Sequence, residues 1–174
     1  MEGRVEVVLR GRPAYSEFSD FDAQVAAAPH VEFHGAYRNP EDLAQIYNDV
    51  HFTWAIDFFE EGLNSDWLLP NRLYEGGLHA VVPIALASAE TGRFLDSRRI
   101  GLTLERADPQ SLIDLFAGMT DERYRAQTAA VAAIDRSQWV TTPADCRALV
   151  ARLAALDRNT SPSAAIAAVS PLQS

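Results

Sequence analysis

The feature that most constrains this chain is an alternation that runs through residue 87. Short apolar segments of strand length are separated by longer segments with helical periodicity. Arg4 to Arg10 sets Val5, Val7 and Leu9 against Glu6 and Arg10, with Val8 adding a second apolar face, so it reads as a strand buried on most of both sides. Phe18 to Ala28 reads as a helix closed by Pro29, and Val31 to His34 as a second strand closed by Gly35. Asn39 is read as an N-cap with Pro40 at the first helical position, and Leu43, Ile46, Tyr47 and Val50 form the buried stripe of that helix. His51 to Ile56 is the third strand and Val81 to Ala87 the fourth, with a helix opening at Pro70 between them. Such an order predicts an α/β fold with a parallel sheet, right-handed crossovers and flanking helices.

The rest of the chain is read more coarsely. Glu90 to Asp96 is a short helix and Gly101 to Leu104 an edge strand. Asp108-Pro109, Thr120 and Thr142-Pro143 each start a helix, the last ending near Leu156. From Arg158 the chain is rich in Ala, Ser and Pro and lacks large side chains, so a disordered tail is expected over 158–174 after one domain over 1–157.

The stretch from Leu69 to Leu86 carries the densest signal. Pro70 suits the first turn of a helix because its missing N–H would have no helical partner. Leu73, Gly76, Gly77 and Ala80 share one face, and Arg72, Glu75 and His79 lie opposite at helical spacing. Two adjacent glycines each cost a helix about 1 kcal/mol relative to alanine, so close approach to a sheet or ligand is expected in compensation. A polar helix face opening at the end of a strand is where open α/β sheets bind ligands.

With its order of pieces, this stretch resembles the donor-binding segment of GT-B-type retaining nucleotide-sugar glycosyltransferases. A Pro-Asn-Lys-Leu-x-Glu-like helix start, small residues and a Pro-Val-Ile-Ala-like strand correspond to Pro70, Asn71, Arg72, Leu73, Glu75, Gly76–Gly77 and Val82-Pro83-Ile84-Ala85. The resemblance runs from about Val5 to about Leu156 and implies a Rossmann-like half of the GT-B fold. It also implies roles. Glu75 would accept hydrogen bonds from ribose hydroxyls, a task that suits a two-pronged acceptor; the alternative is a solvated helix pair with Arg72 or His79. Asn71, Arg72 and Leu73 would hold a diphosphate at the positive helix end, or Arg72 would simply cover the helix. Gly35, Tyr37 and Arg38 would hold the base, with Tyr37 stacking on it or serving as an edge of the core. Asn64, Ser65 and Asp66 would contact sugar hydroxyls or form a surface loop, and Glu90-Thr91-Gly92 would be a small polar turn nearby. Many family members carry a second glutamate with seven residues between the two, and the equivalent position here is Trp67; Asp66, Glu60 and Glu61 are the nearest acids.

The resemblance covers only the donor-binding half and enters it late, since the usual first strand with its diphosphate-reaching basic residues would precede Val5. The implied chemistry is sugar transfer from a nucleotide-sugar to a hydroxyl acceptor, a saccharide or lipid-linked saccharide, in polysaccharide or glycolipid biosynthesis. No cofactor or metal is expected, and no catalytic base is assigned. An N-terminal acceptor domain, on a missing segment or a separate chain, would complete the active site, so the fragment alone is expected to be inactive. Two other readings stand beside it: a non-catalytic nucleotide-sugar-binding subunit needing a partner chain, and a doubly wound interaction or signalling domain.

Composition bears on partners and location. A formal charge of −9 argues against a broad nucleic-acid surface. His30, His34, His51 and His79 lack metal-ligand spacing, and His51 reads as structural. Cys146, the single cysteine, reads as a small core residue and favours a reducing compartment. With no signal peptide or transmembrane run read in the sequence, a cytoplasmic protein is expected, with peripheral association with the inner membrane as an option.

Overall fold

The computed structural model of the chain describes residues 5–58 and 64–159, the last four of these by backbone alone. Two units make up the chain, Met1–Trp139 and Val140–Ser174. The first is α/β. Its strands and helices follow in the order β1 (Val7–Leu9), α1 (Phe21–Ala27), β2 (Val31–Phe33), α2 (Leu43–Asn48), β3 (Phe52–Trp54), α3 (Asn71–Leu78), β4 (Val82–Leu86), α4 (Glu90–Arg98), β5 (Leu102–Leu104), α5 (Pro109–Ala117) and α6 (Asp121–Ala132). The second unit's described element is α7 (Pro143–Asn159). It starts where Thr142-Pro143 predicts: Thr142 Oγ1 accepts from the Asp145 N–H while the Asp145 carboxylate accepts from the Thr142 N–H at 2.8 Å. The tail expected over 158–174 lies outside the described residues from 160 onward.

All strand pairs are parallel, as the alternation predicts. The expected sheet is nevertheless in two pieces among the described residues, β1-β2 and β3-β4-β5. Hydrogen bonds show which edge of β3 is left without a partner strand. The Val82 N–H donates to the His51 carbonyl and the Ala55 N–H to the Ile84 carbonyl, so the odd-numbered peptide groups of β3 face β4. The even-numbered ones face the other edge, and there Arg72 takes two carbonyls instead of a strand: Nε donates to Trp54 O and Nη2 to Ile56 O, both at 2.5 Å.

The three-stranded sheet carries the main core. Ile56, Val82, Ile84, Leu102, Leu104 and Leu115 form one buried cluster, with Phe52, Phe116 and Tyr124 packed against it edge to face. Pro83 sits in the central strand without breaking the ladder. Its position faces β5 beside Gly101, before the first β5 pair, Ile84 with Leu102, so its missing N–H costs no ladder bond. A second cluster of Leu43, Tyr47 and Val81 ties α2 to the start of β4.

The paired glycines do what the sequence suggests. A Cβ on Gly76 would come within 2.9 Å of Thr53 on β3, and one on Gly77 within 2.6 Å of the Trp139 ring. The helix therefore lies directly on the sheet, and its propensity cost is offset by burial of Leu73, 0% exposed. Ala80 leaves that face: α3 ends at Leu78 and Ala80 is left-handed at φ 60°.

Three local expectations are corrected. The first strand is not buried on most of both sides, since Val7 and Val8 are exposed. Asn39 does not cap α2. Its bond to Pro40 is cis, the segment turns through an Arg38–Asp42 contact, and the helix starts at Leu43. Cys146 is exposed on α7 and is not a core residue. Asp108 and Thr120, by contrast, cap α5 and α6 as read, accepting from Ser111 N–H at 2.8 Å and Arg123 N–H at 3.2 Å.

Candidate functional site

The segments after β2 and β3 reach α3, Asn39 bonding Glu75 and the Trp54 and Ile56 carbonyls accepting from Arg72. The N-cap of α3, Pro70, has no side-chain acceptor and makes no side-chain cap bond to the first turn. Leu73 points into the core, and its N–H donates to the Pro70 carbonyl at 3.0 Å, so neither part of the residue is turned to a ligand. Asn71 is exposed at the first position. Arg72 spends its guanidinium on the Trp54 and Ile56 carbonyls, so it fixes the helix start to the end of β3.

Glu75 sits one turn in, and both of its oxygens are engaged. Oε1 accepts from Asn39 Nδ2 and Oε2 from the Tyr47 hydroxyl, each at 2.9 Å. The carboxylate thus joins the loop after β2, helix α2 and helix α3. The pairs with Arg72 or His79 suggested by helical spacing do not form among the described residues; His79 instead stacks on Tyr47, ring centres 5.9 Å apart and planes 9° from parallel. Burial pushes the Tyr47 phenol well above its ordinary value, and the bond to Glu75 and its negative charge push it further, so it stays a protonated donor.

Tyr37 is exposed on the same side, 38% accessible. Burial raises its phenol, Glu75 adds to the rise and Arg72 opposes it. Gly35 has φ +71° with open space beside it, and its carbonyl accepts from the Gly11 N–H at 2.9 Å, tying together the loops after β1 and β2. Arg38 turns elsewhere, to Asp42 at 2.8 Å. The Arg38 side-chain hydrogen bond is the first cause of the Asp42 carboxyl lying below its ordinary range.

A separate small cleft of about 80 Å³ lies where β3 and β4 end. Asp57, Ser65, Asp66, Ser88, Ala89 and Thr91 contribute to its wall. Asn64 and Asp66 belong to a single 3-10 turn, Asn64–Asp66, and Thr91 reaches back to the Leu68 carbonyl at 3.5 Å. The small polar turn at Glu90-Thr91-Gly92 is the first turn of α4, and it must be small there: a Cβ on Gly92 would lie 2.1 Å from the Leu86 carbonyl oxygen. Glu60 and Glu61 lie outside the described residues. Among the described residues no His/Cys/Asp/Glu cluster could hold a metal ion, and no helix is long and apolar enough to cross a membrane.

Sequence reasoning missed Asn39 and Tyr47. The first was read as a cap and the second as core. A tyrosine on a buried stripe needs a partner for its hydroxyl, and that signal pointed to an acceptor across the interface.

Parallel sheets flanked by helices, with polar groups gathered where the strands end, make the first unit a Rossmann-like α/β half. No protein-family model matches the chain. It is 58% identical over 156 residues to the succinoglycan biosynthesis protein ExoL of Rhizobium meliloti (strain 1021). The match takes in 90% of this chain and 39% of that protein.

Proposed function

We propose that the chain is the donor-binding part of a glycosyltransferase of polysaccharide biosynthesis. It would bind a nucleotide-sugar from which a glycosyl group passes to a hydroxyl acceptor. The observation that carries the reading is Glu75, held by Asn39 and Tyr47 at the strand ends beside Tyr37 and the start of α3. A carboxylate in that place suits a pair of ribose hydroxyls, an exposed tyrosine suits a base, and the positive end of a helix suits a diphosphate. The polar cleft of Ser65, Asp66 and Thr91 is the natural place for the sugar. The name of the similar protein, a succinoglycan biosynthesis protein, supports a polysaccharide setting. With the chain spanning 39% of that protein's length, the acceptor site and the catalytic base are assigned to residues outside this chain.

In this reading the departing diphosphate is stabilised by the helix start and no resident metal takes part. Calorimetry with UDP, GDP and ADP tests it directly. One of them should bind, and at about 100 times its dissociation constant should stabilise the fold by ~2.7 kcal/mol. Glu75→Ala should weaken that binding by ~10- to 100-fold, the value of one or two charge-assisted hydrogen bonds. Binding of none of the three by the folded chain overturns the reading.

A further inference from the structure

Glu75 is held from two directions. Asn39 approaches from the loop after β2 and Tyr47 from α2, one donor to each carboxylate oxygen. A glutamate side chain is otherwise among the most mobile, and hydrogen bonds from separate elements fix both the position and the plane of its carboxylate. Tyr47 is itself held: it is 9% exposed, it stacks on His79, and its ring edge lies 3.4 Å from where a Cβ on Gly76 would be. An ionised carboxylate has about four lone-pair sites, so one donor on each oxygen leaves room for a further donor on each. Two hydroxyls on adjacent carbons are the donor pair that matches two oxygens of one carboxylate.

We propose that Asn39 and Tyr47 are positioning residues that orient Glu75 toward a vicinal diol, making the site select ribonucleotides over 2′-deoxyribonucleotides. This rests on the donor-binding reading. Removing one hydroxyl leaves one Glu75 oxygen without its ligand partner, and loosening the clamp removes the geometric basis for noticing the difference.

The test titrates UDP, GDP and ADP and their 2′-deoxy counterparts into the full chain and into Tyr47→Phe, Asn39→Ala and Glu75→Gln. The wild type should prefer the ribonucleotide by ~10-fold, as expected for one hydrogen bond to a charged group. Tyr47→Phe and Asn39→Ala should bring that ratio toward unity, weakening ribonucleotide binding more than 2′-deoxy binding. In the Glu75→Gln background, Tyr47→Phe should have no further effect on the ratio. Asn39 lies on an exposed loop, so Asn39→Ala carries the test if Tyr47→Phe fails to fold. Binding with equal ribo and 2′-deoxy affinity, or a ribo preference that survives both clamp variants, overturns the positioning role and leaves the donor reading standing. No binding of any of the six by the wild type overturns the donor reading, and the clamp with it.

Discussion

The two sheets of the first unit differ sharply in how well they are covered. In β4, Val82 and Ala85 are 0% exposed, whereas in β1, Val7 is 44% and Val8 39% exposed. Both sheets are parallel and both are built of short strands, so the difference is in what lies on them. The three-stranded sheet has α3 and α4 on it through Gly76 and Gly92 and a buried cluster running from Ile56 to Leu115. The two-stranded sheet has chiefly the edge-to-face Phe21–Phe33 contact, ring centres 5.0 Å apart. The loop that follows β2 reaches α3 through the Asn39 to Glu75 bond. One sheet supplies stability; the other delivers a loop to the site. Regions of few buried contacts are also those that open locally, so the delivered loop sits on the more adaptable half.

The largest test of that contrast is a pair of truncations. Leu73→Ala removes a fully buried side chain from the face of α3 that meets the sheet and should cost about 3–4 kcal/mol in urea unfolding. Val8→Ala, on a half-exposed strand, should cost less than about 0.5 kcal/mol. Equal costs would erase the distinction between the sheets.

Next in size is Gly92→Ala. The added methyl would meet the Leu86 carbonyl oxygen at 2.1 Å, and backbone rather than a flexible side chain must move. A loss of about 3 kcal/mol is expected from overpacking, read as a lowered thermal midpoint.

Tyr47→Phe probes the link between the halves. It leaves a Glu75 oxygen without its buried donor and should lower stability by about 1–2 kcal/mol near neutrality. The sign with pH follows from the raised phenol. The folded chain keeps Tyr47 protonated where the unfolded chain ionises it, so the contribution is complete below pH 10.0, the ordinary phenol value, and fades as pH rises above it. The wild type should therefore lose more stability than the variant between neutrality and strongly alkaline solution. A variant with the same alkaline slope would show that Tyr47 titrates alike folded and unfolded.

Much of the covered half was legible in the sequence because its signals are local. Asp108 and Thr120 cap helices through bonds spanning only three residues. The apolar run Val82–Leu86 declares a buried strand whatever its neighbours, and Gly76–Gly77 declares a close approach. The site was half legible. Glu75 stood out by its place after a proline-opened helix start, yet what orients it is Asn39, 36 residues away, and Tyr47, 28 away. No periodicity encodes such a pairing. Asn39 also matched a cap signature, and the long-range bond to Glu75 prevailed over the local one. Arg72 is likewise held at long range: its bonds to the Trp54 and Ile56 carbonyls are not visible in the local sequence.

The smallest prediction sets one residue from each half against the other. Gly35 follows β2 and Ala80 precedes β4, and both have positive φ, +71° and 60°. Gly35 has open space around it, so Gly35→Ala is strained by its dihedral alone and should cost about 1 kcal/mol. Ala80 already bears that strain, so Ala80→Gly should relieve it, offset in part by the freedom glycine gives the unfolded chain, for a net gain of about 0.5 kcal/mol. Ala80 borders an apolar hollow with Val131 and Trp139. If its methyl fills space there, the gain turns into a loss, and the residue belongs to the packing that makes this half the stable one. If the gain appears, the strain is a feature of the turn alone, and covering the sheet does not depend on it.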